Sequence, residues 1–123
     1  MTAQPFTTNP SVLRALADRC EREEPSDKLD AAIARAVLGP NRYVLPYTTS
    51  LDAAVTLVPE GWCIDSLGDE GTYGDAQRFE ITGCSVRLSD GFSESSFGEA
   101  SSRAAAICAA SLRALALLAE GEA

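Results

Sequence analysis

The chain has 123 residues, 46% of them hydrophobic and 23% charged, which suits one folded unit of roughly 100–150 residues and argues against global disorder. Its formal net charge is −8 and it contains no histidine. That combination excludes Ser-His and Cys-His nucleophiles and disfavours general binding to phosphate backbones.

Four cysteines stand at positions 20, 63, 84 and 108 without a C-x-x-C pair. They read as buried free thiols rather than as a metal or disulfide set, and no cofactor is expected. The N-terminus lacks a basic segment followed by an apolar one, so no signal peptide is expected. No apolar run approaches the roughly 18 residues that span a bilayer. A cytoplasmic location, with no membrane contact, follows as the expectation.

Residues 1–9 read as a flexible tail, 10–119 as a single domain and 120–123 as a second tail. Asn9-Pro10 is a good helix start, since Asn caps free N–H groups and Pro is tolerated at the first position. Val12, Leu13, Leu16, Ala17 and Cys20 then give one apolar face, up to the charged run 21–24 and Pro25. The acids of that run oppose the helix dipole, so the last turn is expected to fray. Ser26 or Asp27 starts a second helix with Leu29, Ile33, Ala36 and Val37 on one face, closed by Gly39-Pro40. Residues 40–47 are turn-like and then extended, at most a short edge strand. Thr49-Ser50-Leu51-Asp52 resembles a capping box, opening a helix of little more than two turns with Leu51, Ala54, Val55 and Val58 inward.

Pro59-Glu60-Gly61 turns the chain into three predicted strands, 62–67, 76–82 and 84–89, each alternating with a period of two. A long glycine-rich loop (68–75) joins the first two and a tight turn at Gly83 joins the last two. Residues 90–98 read as a Ser/Gly-rich loop. A long Ala/Leu helix is predicted from about Glu99 to Ala119, with an apolar stripe of Ala104, Ile107, Cys108, Ser111, Leu112, Leu115 and Leu118. Small residues at Ala104, Ala105, Ala109 and Ala110 would let it lie close to a sheet or another helix. The fold class is therefore α+β, a small three-stranded antiparallel sheet together with helices.

Leu29-Asp30-Ala31-Ala32-Ile33-Ala34, then Tyr47 to Ala54, then Leu57-Val58-Pro59-Glu60-Gly61-Trp62 and the terminal helix resemble the phage ABA-sandwich domain family, over roughly residues 27–119. The resemblance implies an α/β/α sandwich, the sheet layered between helices, encoded by a phage or prophage. It implies no catalytic residue.

Candidate ligand-binding residues follow from chemistry. Trp62 offers a flat apolar face that either stacks on a ligand ring or fills the core. Tyr47, beside Thr48, Ser50 and Asp52, either lines a polar pocket at a helix N-terminus or sits next to simple capping. Arg78 and Arg87 alternate with apolar neighbours and either grip an anion or pair with Asp65 and Glu80. Arg103 and Tyr73 complete the set. Between Tyr43 and Gln77 there are six acids and no Lys or Arg, and Asp69-Glu70 among them reads as a solvated loop.

With no triad, phosphate loop or metal cluster in the sequence, the expected role is recognition rather than catalysis. The expectation is a phage-encoded, homo-oligomeric accessory protein in the host cytoplasm. It binds a host protein or a small anionic, nucleotide-like ligand and makes no direct contact with nucleic acid. The alternatives are an acidic decoy for a nucleic-acid groove and a structural or assembly protein of the phage.

Overall fold

In a computed structural model, residues 9–40, 43–73 and 79–121 are described, and the backbone forms four helices and one sheet. Local chemistry explains the first two helices. Asn9 accepts a hydrogen bond from the Ser11 N–H (2.9 Å) and Pro10 opens α1 (Pro10–Arg22). Leu13, Leu16, Ala17 and Cys20 are its buried face. Ser26 caps α2 (Asp27–Leu38) by accepting from the Leu29 N–H, and Gly39, at φ 96°, ends it where a side chain would be strained.

The segment after α2 forms no strand among the described residues; it runs to a turn at 47–49. The third helix, α3 (Leu51–Val55), is shorter than expected. Ser50 is its cap and bonds the Ala53 N–H, so the capping-box register read from Thr49 is displaced by one residue. Its buried residues are Ala53 and Ala54, while Leu51 and Val55 are exposed. The small side chains face inward because the helix lies close to its neighbour.

The sheet has three antiparallel strands in the order β1 (Cys63–Tyr73), β2 (Phe79–Ser89) and β3 (Ser95–Ala100). The number of strands matches the sequence reading, but their placement differs. Gly83 does not turn the chain; it lies inside β2, opposite Glu70, beside a register shift that absorbs one extra residue. The predicted second and third strands are thus one strand. The true third strand lies in the Ser/Gly-rich segment read as loop and helix start, and α4 (Arg103–Gly121) begins later and ends later than expected.

Alternation decides which face of the sheet is dry. Cys84, Val86 and Leu88 of β2 and Ser96 and Gly98 of β3 are buried, while Arg87 and Phe97 between them are exposed. The buried face packs on α4, which also packs on α1 and α3. From Ala104 to Leu112 every residue of α4 is buried, so this stretch is enclosed all round rather than along one stripe. The α+β class with a three-stranded antiparallel sheet is as expected. Its layers run from the outer helices through α4 to the sheet, and the described residues supply helical cover to one sheet face.

Close approach makes that layering possible. A Cβ on Gly98 would stand 2.2 Å from the Ala106 carbonyl oxygen and 2.8 Å from the Ala110 nitrogen. Strand backbone therefore rests directly on helix backbone, and the Ser96 hydroxyl donates to the Ala110 carbonyl at 2.8 Å. By length and composition helix α4 is also long and apolar enough to cross a membrane, whereas the sequence reading found no apolar run near that span. Two thirds of its most apolar window (67%) lies inside the fold, where that apolarity builds the core.

Candidate functional site

The turn at Tyr47-Thr48 is the internal junction of the molecule. Tyr47 is 1% and Thr48 0% exposed. Asp30, itself buried, accepts from both the Thr48 N–H (2.8 Å) and the Thr48 hydroxyl (2.7 Å). The Cys108 thiol donates to the Tyr47 carbonyl (3.2 Å), and the Ser102 hydroxyl donates to the Thr48 carbonyl (3.4 Å). A buried loop must have its backbone groups satisfied, and here α2, α4 and the residue just before α4 provide the partners. Tyr47 is accordingly part of the core. The adjacent Cys20 thiol, then burial, push the Cys108 thiol far above its ordinary range, so it stays protonated.

Two other features face solvent. The first is the open face of the sheet. Phe97 is 57% exposed, and the Arg87 guanidinium lies over its ring at 6.0 Å from the centroid. Asp65 occupies an irregularity in β1 and pairs with Arg87 at 3.4 Å. On the helix side of the sheet, where Asp69 stands opposite Cys84, Arg103 forms a two-pronged pair with Asp69, with Nε donating at 2.9 Å, and this holds the Asp69 carboxyl below its ordinary value. Both described arginines of the expected anion site are therefore engaged with carboxylates.

The second feature is a cleft of about 530 Å³ between the start of β1, the β2–β3 turn and the end of α4. Trp62, Leu117 and Leu118 form its apolar walls, and Asp90, Glu94 and Glu120 its polar rim. Trp62 is half-buried: it packs against the core, as one reading had it, and also lines the cleft. Asp90 is fixed by accepting from the Phe92 N–H (2.8 Å) and the Glu94 N–H (3.2 Å), an Asx-type turn. Arg14 of α1 bonds Glu120 at 2.5 Å from outside the cleft lining.

Of the six residues expected to bind ligand, Trp62 lies in this cleft, Tyr47 in the core, Arg87 on the open sheet face and Arg103 at the start of α4. Arg78 and the side chain of Tyr73 lie outside the described part of the structure. Sequence reasoning missed Phe97, Asp90, Glu94 and Glu120. Asp90-Gly91 carried a turn signal, but nothing local tied it to a helix end some thirty residues on. Among the described residues no group of three or more potential ligands is arranged to hold a metal ion. No family model, curated protein or solved structure matches this chain.

Proposed function

We propose that this chain is a non-enzymatic recognition protein, encoded by a phage or prophage as the resemblance implies, that docks on a protein of the host cytoplasm through the open face of its sheet. The exposed Phe97 with Arg87 over its ring supports this reading: aromatic residues and arginine are both enriched at protein–protein interfaces. The nucleotide-ligand version draws less support, because Arg87 and Arg103 already hold Asp65 and Asp69. The same two pairs weaken the acidic-decoy version, since they neutralise part of the acidic run it would display.

The test is capture from host lysate with the wild-type chain and with Phe97→Asp and Arg87→Glu, identifying partners by mass spectrometry at low and high salt. A partner retained at high salt by the wild type and lost by both variants is expected. A partner captured equally by all three would remove the sheet face from the reading. Binding that collapses with salt in every variant would favour the decoy. A thermal-shift panel of nucleotide messengers checks the small-ligand version directly.

A further inference from the structure

Phe92 is the most exposed large hydrophobic residue among the described ones, at 94%, and the turn that carries it is firmly tied. Asp90 accepts from the Phe92 and Glu94 N–H groups, and its own N–H donates to the Glu94 carbonyl at 3.2 Å. Ser89 accepts from the N–H of Gly91 (3.0 Å), whose φ of 82° suits the turn to glycine. A ring displayed on so bonded a turn has little ordering entropy left to lose when it docks. Phe92 stands between Asp90 and Glu94, and both of these line the Trp62 cleft. An apolar knob and a partly apolar hole therefore share one patch of surface, with the knob held outside the hole of its own chain. Such a patch is self-complementary about a two-fold axis, because each copy offers what the other lacks.

We infer that two copies of this chain associate about such an axis, each placing Phe92 in the other's cleft, against Trp62, Leu117 and Leu118. The two rings bury roughly 150–250 Å² each. With the walls they meet, the apolar contact totals roughly 600–1,000 Å², short of a standard interface. The dimer is accordingly weak, with a dissociation constant above about 1 μM. Charge weakens it further. Asp90 is satisfied by backbone N–H groups and Glu120 by Arg14, which leaves Glu94 as the rim carboxylate without a partner among the described residues. Two copies of Glu94 near the axis repel, and salt screens them. Association thus strengthens as salt is raised, the reverse of a contact held by ion pairs. The inference stands apart from the open sheet face and does not depend on it.

Full-length protein is followed by sedimentation velocity from micromolar to millimolar concentration, at low and high salt. Trp62, the sole tryptophan, reports the cleft over the same range by its emission and its quenching by acrylamide. The expected result is a monomer that passes to a dimer as concentration rises, more readily at high salt, with blue-shifted and less quenched emission. Phe92→Ser abolishes both changes, and at 94% exposure its loss leaves the fold intact. Glu94→Gln strengthens association roughly threefold at low salt. Phe97→Asp, on the sheet face, leaves it unchanged and so separates this contact from capture of a host protein. A chain that stays monomeric at millimolar concentration, a dimer that survives Phe92→Ser or is lost in Phe97→Asp, a dimer that salt dissolves, or one that leaves Trp62 emission unaltered each overturns the inference.

Discussion

Glu21 and Arg113 together finish the outer edge of β3. The Glu21 carboxylate accepts from the Glu99 N–H at 2.8 Å, and the Arg113 guanidinium donates to the Phe97 carbonyl at 2.9 Å. The two side chains also pair with each other through both guanidinium nitrogens, at 2.7 Å each, and Asp18 adds a third contact at 2.8 Å. An edge strand otherwise offers its free backbone groups to any passing chain. Helices α1 and α4 thus seal that edge with one ion pair while leaving the face beside it open.

This pair makes stability fall in acid. Hydrogen bonding to Arg113, and to a lesser degree to the Glu99 N–H, holds the Glu21 carboxyl below its ordinary value of 4.5 against the opposing effect of burial. The unfolded chain therefore takes up the proton first. The contribution is complete above about pH 4.5 and disappears as pH drops through the lower folded value. Arg113→Ala costs about 2 kcal/mol near neutral pH and flattens this acid limb. Urea unfolding between pH 3 and 7 measures both, and an unchanged limb in the variant would contradict the assignment.

Gly98 tolerates no side chain. With helix backbone 2.2 Å from where its Cβ would stand, Gly98→Ala must push β3 off α4. A loss of about 3 kcal/mol is expected, at the upper end for overpacking, because backbone rather than a flexible side chain has to yield. By contrast, Gly68, whose added Cβ would meet only the Ser85 hydroxyl at 3.9 Å, accepts Ala with little change. Thermal melts of the two variants separate these outcomes.

How far the fold is legible in the sequence depends on how local its causes are. Helices α1 and α2 are read correctly because Asn9, Ser26 and Gly39 act on backbone groups within five residues of themselves. Strand β3 is misread because its inward positions are Ser96 and Gly98, which carry no apolar signal. They are inward only because α4 comes close enough to use them, and that is a tertiary fact. Gly83 is misread for the converse reason: a glycine between two alternating runs looks like a turn until the register with Glu70 is known. The cleft is half legible in the same sense. Trp62 announces itself by size, whereas Asp90 and Glu94 reach it only through the sheet topology and Glu120 only through the packing of α4.

The Asp30–Thr48 contact holds the buried turn to α2, so cutting it from either side has unequal effects. Asp30→Ala leaves the Thr48 N–H and hydroxyl without an acceptor in the core and costs about 3 kcal/mol. Thr48→Val removes only the hydroxyl bond at nearly constant volume and costs about 1.5 kcal/mol. In a double-mutant cycle the two losses fall short of adding, because they share the 2.7 Å contact. Full additivity would show that the contact is absent in solution.

The four cysteines differ in access. Cys20, Cys84 and Cys108 are buried and Cys63 is exposed. Brief treatment of the native protein with iodoacetamide therefore modifies Cys63 alone, and denaturant releases the other three. Peptide mapping after a short pulse checks this. Early labelling of Cys108 would mean that the junction at Tyr47 opens readily.

Ser111 offers a gain in stability. Its side chain is 0% exposed within α4, and its hydroxyl oxygen has no hydrogen-bond partner among the described residues. An unsatisfied hydroxyl in an apolar core loses its water without replacement, and alanine is also the better helix former. Ser111→Ala removes one heavy atom and leaves a void smaller than a water molecule, so the cavity term stays below the desolvation term. A rise of about 1 kcal/mol, read as a higher urea midpoint at unchanged slope, is expected. A lower midpoint would mean that the hydroxyl is satisfied in solution by a partner such as a trapped water.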